Sequence, residues 1–171
     1  MPDFEVVKLG PADNPGTGEE APDFTRPLVN DEYWENRSLS KLAADAERTI
    51  VVFTPMTGSF LAKYVWDEID ERGWNDADGT RVVGVTASTP YGVKRFLEEN
   101  GYDAALFADP GADVARSYGV EHDLDGMEGI TEPRPAIFAV DEELTVEDAW
   151  VATDWPEFPD YDDLEERFGL E

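Results

Sequence analysis

The chain has 171 residues, of which 40 are Asp or Glu and only 13 are Lys or Arg, so its formal net charge is −27. A surface this acidic repels phosphate backbones and anionic headgroups, which makes nucleic acids and anionic membranes poor partners. The chain contains no cysteine, which excludes thiol catalysis, disulfides and cysteine-ligated metal sites.

The acidity indicates a folded protein adapted to high salt rather than a disordered acidic tail. Hydrophobic residues make up 41% of the chain and aromatic residues 12%, enough to bury one core at this length and more than disordered segments carry. At molar salt the Debye length is about 3 Å, so the self-repulsion of the acidic groups is screened. The chain shows neither a signal-peptide pattern nor an apolar run of ~18 residues, and we therefore expect a cytoplasmic protein.

Turn-forming residues dominate the start of the chain, so we expect an N-terminal arm over residues 1–18 and a single domain over 19–171. From Ser38 the pattern predicts a short capped helix, and Thr49 to Thr54 predicts a buried strand rich in β-branched residues. Apolar residues then recur at helical spacing from Phe60 onward, which predicts a helix that ends at Gly73.

The same strand and helix alternation continues in the middle of the chain. Arg81 to Thr86 and Ala104 to Ala108 predict strands, while Pro90 to Asn100 and Ala112 to Tyr118 predict helices. Strands that alternate with helices indicate crossover connections and a parallel sheet.

The alternation of strands and helices ends near the C-terminus. Ala136 to Val140 and Thr145 to Val151 predict two strands joined by a connection short enough for a hairpin, and Tyr161 to Phe168 predicts an amphipathic helix. Parallel units followed by an antiparallel hairpin and a helix predict an α/β protein of thioredoxin-like fold, with a central mixed sheet flanked by helices.

Five segments carry short motifs in a fixed order: Glu20–Phe24, Val52–Phe60, Ser88–Tyr91, Phe107–Val120 and Arg134–Phe138. Together they resemble the peroxiredoxins of the alkyl hydroperoxide reductase/thiol-specific antioxidant (AhpC/TSA, or redoxin) family, over roughly residues 19 to 168. The resemblance implies the peroxiredoxin variant of the thioredoxin fold, and the acidity indicates a member of haloarchaeal type.

In that family a Pro-x-x-x-Thr-x-x-Cys loop and a distant arginine bind the peroxide, and the thiolate attacks it. The resemblance implies Pro55, Thr57 and Arg134 as counterparts of three of these groups and places Phe60 at the cysteine. Only Met56 separates Pro55 from Thr57, so the loop is two residues shorter. We therefore expect a vestigial site, in which the hydroxyl and the arginine do not converge and the Phe60 ring fills the pocket.

No other residue supplies an obvious nucleophile. The Met56 thioether can be oxidised by peroxide only stoichiometrically, and we interpret it as a gap-filling apolar residue. Ser59 would need an adjacent base, and the single histidine, His122, lies in a distant acidic loop, where we expect it at the surface. Arg134 leaves two alternatives open: a buried group that binds a small anion or pairs with an acid, and an exposed arginine at a strand end.

The remaining motifs indicate surface features. The acidic clusters Asp141–Glu143, Asp160–Asp163 and Glu165–Glu166 lack EF-hand spacing and indicate a solvated face, so we expect neither a metal nor a cofactor. Trp155 to Pro159 predicts a rigid aromatic turn that covers an edge or contacts a partner.

Three functions remain, and the first is favoured. In the first, the chain is a non-catalytic peroxiredoxin-like domain that binds a protein through the surface around the altered loop. The bound protein is either a second copy, in a homodimer, or a cysteine-bearing relative. Alternatively, it is an oxidoreductase or antioxidant with a residual cysteine-independent activity. The third possibility is a small-anion sensor at the vestigial site.

Overall fold

A computed structural model describes residues 6–123 and 128–170. In chain order its elements are β1 (Val7–Lys8), β2 (Thr25–Val29), β3 (Trp34–Ser38), α1 (Leu39–Ala44), β4 (Arg48–Phe53), α2 (Phe60–Arg72), a 3₁₀ turn (Trp74–Asp76), β5 (Thr80–Thr86), α3 (Pro90–Asn100), β6 (Leu106–Ala108), α4 (Asp113–Ser117), β7 (Glu121–His122), β8 (Glu132–Pro133), β9 (Ala136–Val140), β10 (Val146–Val151), β11 (Asp154–Trp155) and α5 (Tyr161–Phe168).

A seven-stranded mixed sheet in the order β10-β9-β4-β5-β6-β2-β3 forms the centre of the protein. β4, β5 and β6 are parallel to one another, and the remaining neighbours pair antiparallel. Because strand side chains alternate between faces, Ile50 and Val52 of β4 join one core cluster while Val51 and Phe53 join the other. The sheet therefore carries a hydrophobic core on each face.

The helices divide between those two faces. Buried residues of α2, α3 and α5 belong to the first cluster, and buried residues of α1 and α4 belong to the second. This layout confirms the predicted α/β thioredoxin-like fold with a mixed sheet flanked by helices.

The boundaries of α2 and α3 follow capping residues in the sequence, whereas Ser38 before α1 makes no side-chain cap. Ser59 and Thr89 accept backbone N–H groups at the starts of α2 and α3. Gly73 and Gly101 end these helices at φ 67° and 69°, where glycine avoids the strain that a Cβ would bring. The predicted limits of α2, α3 and α5 are confirmed within a residue.

Two central-sheet strands, β2 and β3, are absent from the sequence-based prediction. β2 contains Pro27, which removes a hydrogen-bond donor, and β3 reads Trp-Glu-Asn-Arg-Ser, a polar edge strand with little hydrophobic pattern.

The boundary at residue 18 between an N-terminal arm and the domain remains a prediction. The arm before it is nevertheless in contact with the domain, since β1 pairs with β11 and Leu9 is buried. None of the helices in the described ranges is long and apolar enough to cross a membrane.

Candidate functional site

The loop from Thr54 to Ser59 leaves the carboxyl end of β4 and enters α2. Pro55 is buried, and its carbonyl oxygen accepts a hydrogen bond from Thr86 Oγ1 at 2.9 Å. Ser59 donates its N–H to the Met56 carbonyl at 2.8 Å, which closes a tight turn. The Ser59 hydroxyl oxygen accepts the Leu61 N–H at 3.2 Å, so this group caps the helix.

Thr57 is held by a neighbouring loop. Its N–H donates to Ser88 Oγ at 2.9 Å, and the two hydroxyl oxygens lie 3.0 Å apart, within hydrogen-bond distance. Ser88 follows β5, so the carboxyl ends of two adjacent parallel strands supply the paired hydroxyls. The Thr57 hydroxyl is thus engaged with Ser88.

A buried acid from a third segment of the chain also contacts this loop. The Glu132 side chain is only 2% exposed, and its Oε2 accepts the Met56 N–H at 3.2 Å. His122 Nε2 lies 3.8 Å from Glu132 Oε1. β7 and β8 pair directly, with His122 opposite Glu132 in register, which brings these two side chains together.

The prediction that His122 lies at the surface is wrong, because the residue is 7% exposed. Burial disfavours the charged imidazolium, and the positive charge of Arg134 acts in the same direction. Asp123 and a hydrogen bond from the imidazole to the Pro133 backbone carbonyl oppose them, and the balance lowers the pKa of His122 to about 4. The histidine is therefore neutral at neutral pH.

Arg134 is buried, with 6% of its surface exposed, which excludes the exposed strand-end alternative. Its Nη1 donates to the Gly10 carbonyl at 2.8 Å and to the Ala152 carbonyl at 3.4 Å, and its Nη2 donates to the Glu121 carbonyl at 3.3 Å. Burial lowers the pKa of Arg134, against the opposing effect of the Glu121 charge. Backbone carbonyls from three distant segments therefore hold the guanidinium.

Phe60 opens α2 and belongs to a row of partly exposed aromatic side chains, which we call the aromatic row. Its ring centroid lies 6.1 Å from that of Tyr64 and 6.2 Å from that of Trp155. Tyr64 in turn lies 5.9 Å from Phe158. The predicted aromatic turn at Trp155 to Pro159 thus packs against the first turns of α2, directly beside the altered loop.

The predicted site residues separate into two sets of contacts. Among the described residues, Thr57 and Arg134 share no hydrogen-bond partner, since one engages Ser88 and the other engages carbonyls. The sequence reasoning missed Glu132 and Ser88. Glu132 is one of 40 acidic residues, so its type carried no signal, although it begins the run up to Val140 in which every residue is buried.

A second register is available for the lost cysteine. Counting Pro-x-x-x-Thr-x-x-Cys from Pro55 without a gap places Ser59 at the hydroxyl and Ala62 at the sulfur. Ser59 caps α2, and Ala62 is fully buried in the core. Neither register supplies a thiol, because the chain has none. In the described ranges no three His, Asp or Glu side chains converge as metal ligands.

Comparison with solved structures finds the same fold in peroxiredoxins of several organisms. Peroxidoxin BcpB from Mycobacterium tuberculosis matches with a TM-score of 0.71 at 22% identity, over 91% of this chain and 95% of the other. Enterococcus faecalis AhpC matches with a TM-score of 0.75 at 18% identity, over 90% of each chain. The reduced 2-Cys peroxiredoxin of Plasmodium vivax matches with a TM-score of 0.73 at 15% identity, over 91% and 95%. These likenesses show the fold.

No curated protein matches the sequence significantly. The AhpC/TSA family model matches residues 17–149, which is most of the chain and includes the altered loop and Arg134. Together with the fold, this match establishes the ancestry that the five motifs implied. The chain belongs to the AhpC/TSA family and has a peroxiredoxin-like structure without cysteine.

Proposed function

We propose that this protein is a non-catalytic peroxiredoxin-like domain that binds a partner protein through the surface around its altered loop. The observation that carries the proposal is the aromatic row of Phe60, Tyr64, Trp155 and Phe158. Partly exposed aromatic side chains in a contiguous group are typical of surfaces that bind proteins. The partner is either a second copy or a cysteine-bearing relative.

The chemistry of the site supports the loss of peroxidase activity. The chain has no thiol, the Thr57 hydroxyl is engaged by Ser88, and carbonyls surround Arg134. The Ser59 oxygen accepts the Leu61 N–H, and no base hydrogen-bonds to Ser59 among the described residues. Attack on a peroxide oxygen needs an activated nucleophile, which this arrangement does not provide.

The proposal also places the protein in the cytoplasm of a halophile. Its support is the excess of 40 acidic over 13 basic residues on a folded domain. We expect the free energy of unfolding to rise with KCl from about 0.1 to about 1 M, because the Debye length shrinks from ~10 to ~3 Å. Unfolding in urea at each salt concentration measures this, and stability independent of KCl would contradict the halophilic assignment.

The first test is peroxide consumption by the purified protein, with hydrogen peroxide and an organic hydroperoxide, in about 1 M KCl, where the Debye length is ~3 Å. We expect consumption to stop once the three methionines are oxidised. Mass spectrometry of the same samples counts the added oxygens. Sustained turnover beyond that number would establish a cysteine-independent activity and overturn the proposal.

The second test uses the lack of cysteine, since an engineered cysteine carries a cross-linker at one defined position. Lys63→Cys places it beside Tyr64 on α2, at a side chain that is 52% exposed. Lys41→Cys on α1 is the matched control, because α1 covers the other face of the sheet. We expect Lys63→Cys, but not Lys41→Cys, to form a discrete cross-linked adduct with another protein. Equal cross-linking from both positions would contradict the assignment of the binding surface to the region around the altered loop.

A small-anion sensor is the second candidate, and one observation favours it. Arg134 Nε is buried and has no hydrogen-bond partner among the described residues. An anion that enters this site would raise the melting temperature of the wild type but not of Arg134→Met. Phosphate, sulfate and acetate are the probes, each compared with chloride at equal ionic strength.

A further inference from the structure

An open groove runs beside the aromatic row, between α2 and the segment that leads into α5. Its volume is about 550 Å³. Aromatic rings and carboxylates line it together: Tyr64, Phe158, Tyr161, Asp67, Glu68 and Glu71. We call this the acidic aromatic groove.

We propose that the acidic aromatic groove binds an arginine side chain presented by a basic segment of a partner protein. This inference rests on the proposed function and specifies the chemistry of the partner. A guanidinium group satisfies both parts of the lining, because it is attracted to aromatic faces and forms charge-assisted hydrogen bonds with carboxylates.

The aromatic part of the groove is open to a ligand. Tyr64 is 38% exposed, and its ring meets that of Phe158 at an interplanar angle of 62°, so the two rings form a corner rather than a closed stack. Phe158 and Tyr161 are each partly exposed. A flat cation that enters this corner covers apolar surface that is now in water.

The charge around the groove is strongly negative. α2 presents Asp67, Glu68, Asp70 and Glu71, whereas its cations are Lys63, which pairs with Asp67, and Arg72, which pairs with Glu68. Glu71 is exposed and has no ion pair among the described residues. α5 adds Asp162 and Glu165 on the facing side, and both already contact Arg72.

The same region already binds one guanidinium group of this chain, that of Arg72. Arg72 lies 5.3 Å from the centre of the Tyr161 ring, and it donates to Glu68 at 2.9 Å and to Glu165 at 2.6 Å. An aromatic ring and carboxylates thus hold an arginine at the edge of the groove. The exposed rings and Glu71 offer a comparable set of groups to an arginine from outside.

A second copy of this chain fits the groove poorly. Each copy carries a net charge of −27, and its cations are few and scattered among acidic residues. Arg95, the most exposed arginine that forms an ion pair, pairs with Glu99 on its own helix. Charge complementarity therefore favours a different protein with an uncompensated basic segment.

The test measures binding of a short glycine and serine peptide that contains one arginine, by calorimetry in about 1 M KCl, where the Debye length of ~3 Å suppresses diffuse attraction. An otherwise identical peptide with neutral citrulline in place of arginine is the matched probe. We expect the arginine peptide to bind and the citrulline peptide to bind at least about tenfold more weakly.

The variants separate the groove from general acidity. Tyr64→Leu and Phe158→Leu keep apolar bulk but remove the ring faces, and Glu71→Gln removes an exposed charge, so we expect each to weaken binding about three- to tenfold. Glu142→Gln, in the exposed turn between β9 and β10, is the control and should leave binding unchanged. These substitutions are conservative, and circular dichroism of each variant tests whether it is folded.

Three results would overturn the inference: no binding by the folded wild type, equal binding of the citrulline peptide, or an equal loss of affinity in Glu142→Gln. The cross-linking test keeps the two proposals distinct. If Lys63→Cys captures a partner but the arginine peptide does not bind, the interaction function stands and this inference fails. If the peptide binds but no partner is captured, the groove is a cation site without the proposed function.

Discussion

The buried carboxyl group of Glu132 accepts a hydrogen bond from the backbone N–H of Met56 at 3.2 Å, although the two residues are 76 positions apart in the chain. Glu132 of β8 thereby holds the loop between β4 and α2 through Met56, and Ser88, which follows β5, holds it through Thr57. The loop that would present the reactive sulfur in a peroxiredoxin is thus held in a defined shape here, by contacts that need no thiol.

Replacing Glu132 by alanine should destabilise the protein by about 2–4 kcal/mol, because it leaves the Met56 N–H without its acceptor and opens a cavity at a buried position. Urea unfolding at fixed pH and salt measures the change. Glu142→Ala, at an exposed turn position, is the control and should cost less than about 0.5 kcal/mol. Equal effects of the two substitutions would show that Glu132 has no special supporting role.

His122 gives stability a pH dependence of known sign. Its pKa is about 4 in the folded protein, lowered chiefly by burial, and about 6.5 in the unfolded chain. The unfolded state therefore binds the proton first, and stability falls as the pH drops from about 6.5 to about 4, by at most about 3 kcal/mol. From about pH 7.5 upward both states are neutral, and the histidine contributes no pH dependence.

The comparison of wild type with His122→Gln isolates this contribution from the many carboxylates. We expect the variant to lose less stability than the wild type between pH 6.5 and 4.5, as measured by urea unfolding at each pH. Parallel curves for the two proteins over that range would mean that the imidazole is not buried in its neutral form.

Gly84 lies in β5, where a side chain has no room. A Cβ at this position would lie 2.5 Å from Trp66 Cζ2 and 2.6 Å from Leu106 Cγ, both buried core atoms. Gly84→Ala should therefore destabilise the protein by about 1–3 kcal/mol, the range typical of overpacked cores. Gly58→Ala meets no atom within 4 Å and is the matched control. A stable Gly84→Ala variant would show that Trp66 can move away from the sheet.

The parts of the fold that sequence analysis predicted are those with strong local patterns. β4 and β5 are runs of β-branched residues, and α2 lies between the capping Ser59 and the left-handed Gly73. The β2–β3 hairpin has no comparable pattern. It is specified by pairing with β6, a contact between segments almost 80 residues apart, which no local window reveals.

Sequence analysis named some residues of the candidate site but missed Glu132 and Ser88, and it did not predict the surroundings of the residues that it named. The resemblance to the family identified Pro55, Thr57 and Arg134 from the sequence, whereas the burial of Arg134 depends on carbonyls of Gly10 and Ala152. His122 is buried because β7 pairs with β8, two strands of two residues each. Strands of two residues leave no periodicity in the sequence, so the burial of His122 could not be predicted from a local pattern.

Restoring a cysteine tests whether anything of the ancestral site survives. Phe60→Cys places a thiol in the first turn of α2, where the helix N-terminus stabilises a thiolate and the position is partly exposed. Ala62→Cys places it in a fully buried core position, where burial raises the thiol pKa. With no other thiol in the chain, each variant reports on one site.

We expect Phe60→Cys to react readily with a disulfide reagent and Ala62→Cys to react at least about tenfold more slowly, because the neutral buried thiol is a poor nucleophile.

Peroxide reduction by Phe60→Cys should not exceed that of free cysteine at the same pH by more than about tenfold. The physical reason is that Arg134 is engaged by backbone carbonyls and the Thr57 hydroxyl by Ser88, so neither stabilises the reacting peroxide. Stopped-flow consumption of hydrogen peroxide measures the rate constant. The contrary result is a rate constant about a hundredfold above that of free cysteine that is lost again in the double variant Phe60→Cys, Arg134→Met. That result would show that the arginine still reaches the reacting atoms and that the site is intact apart from its sulfur.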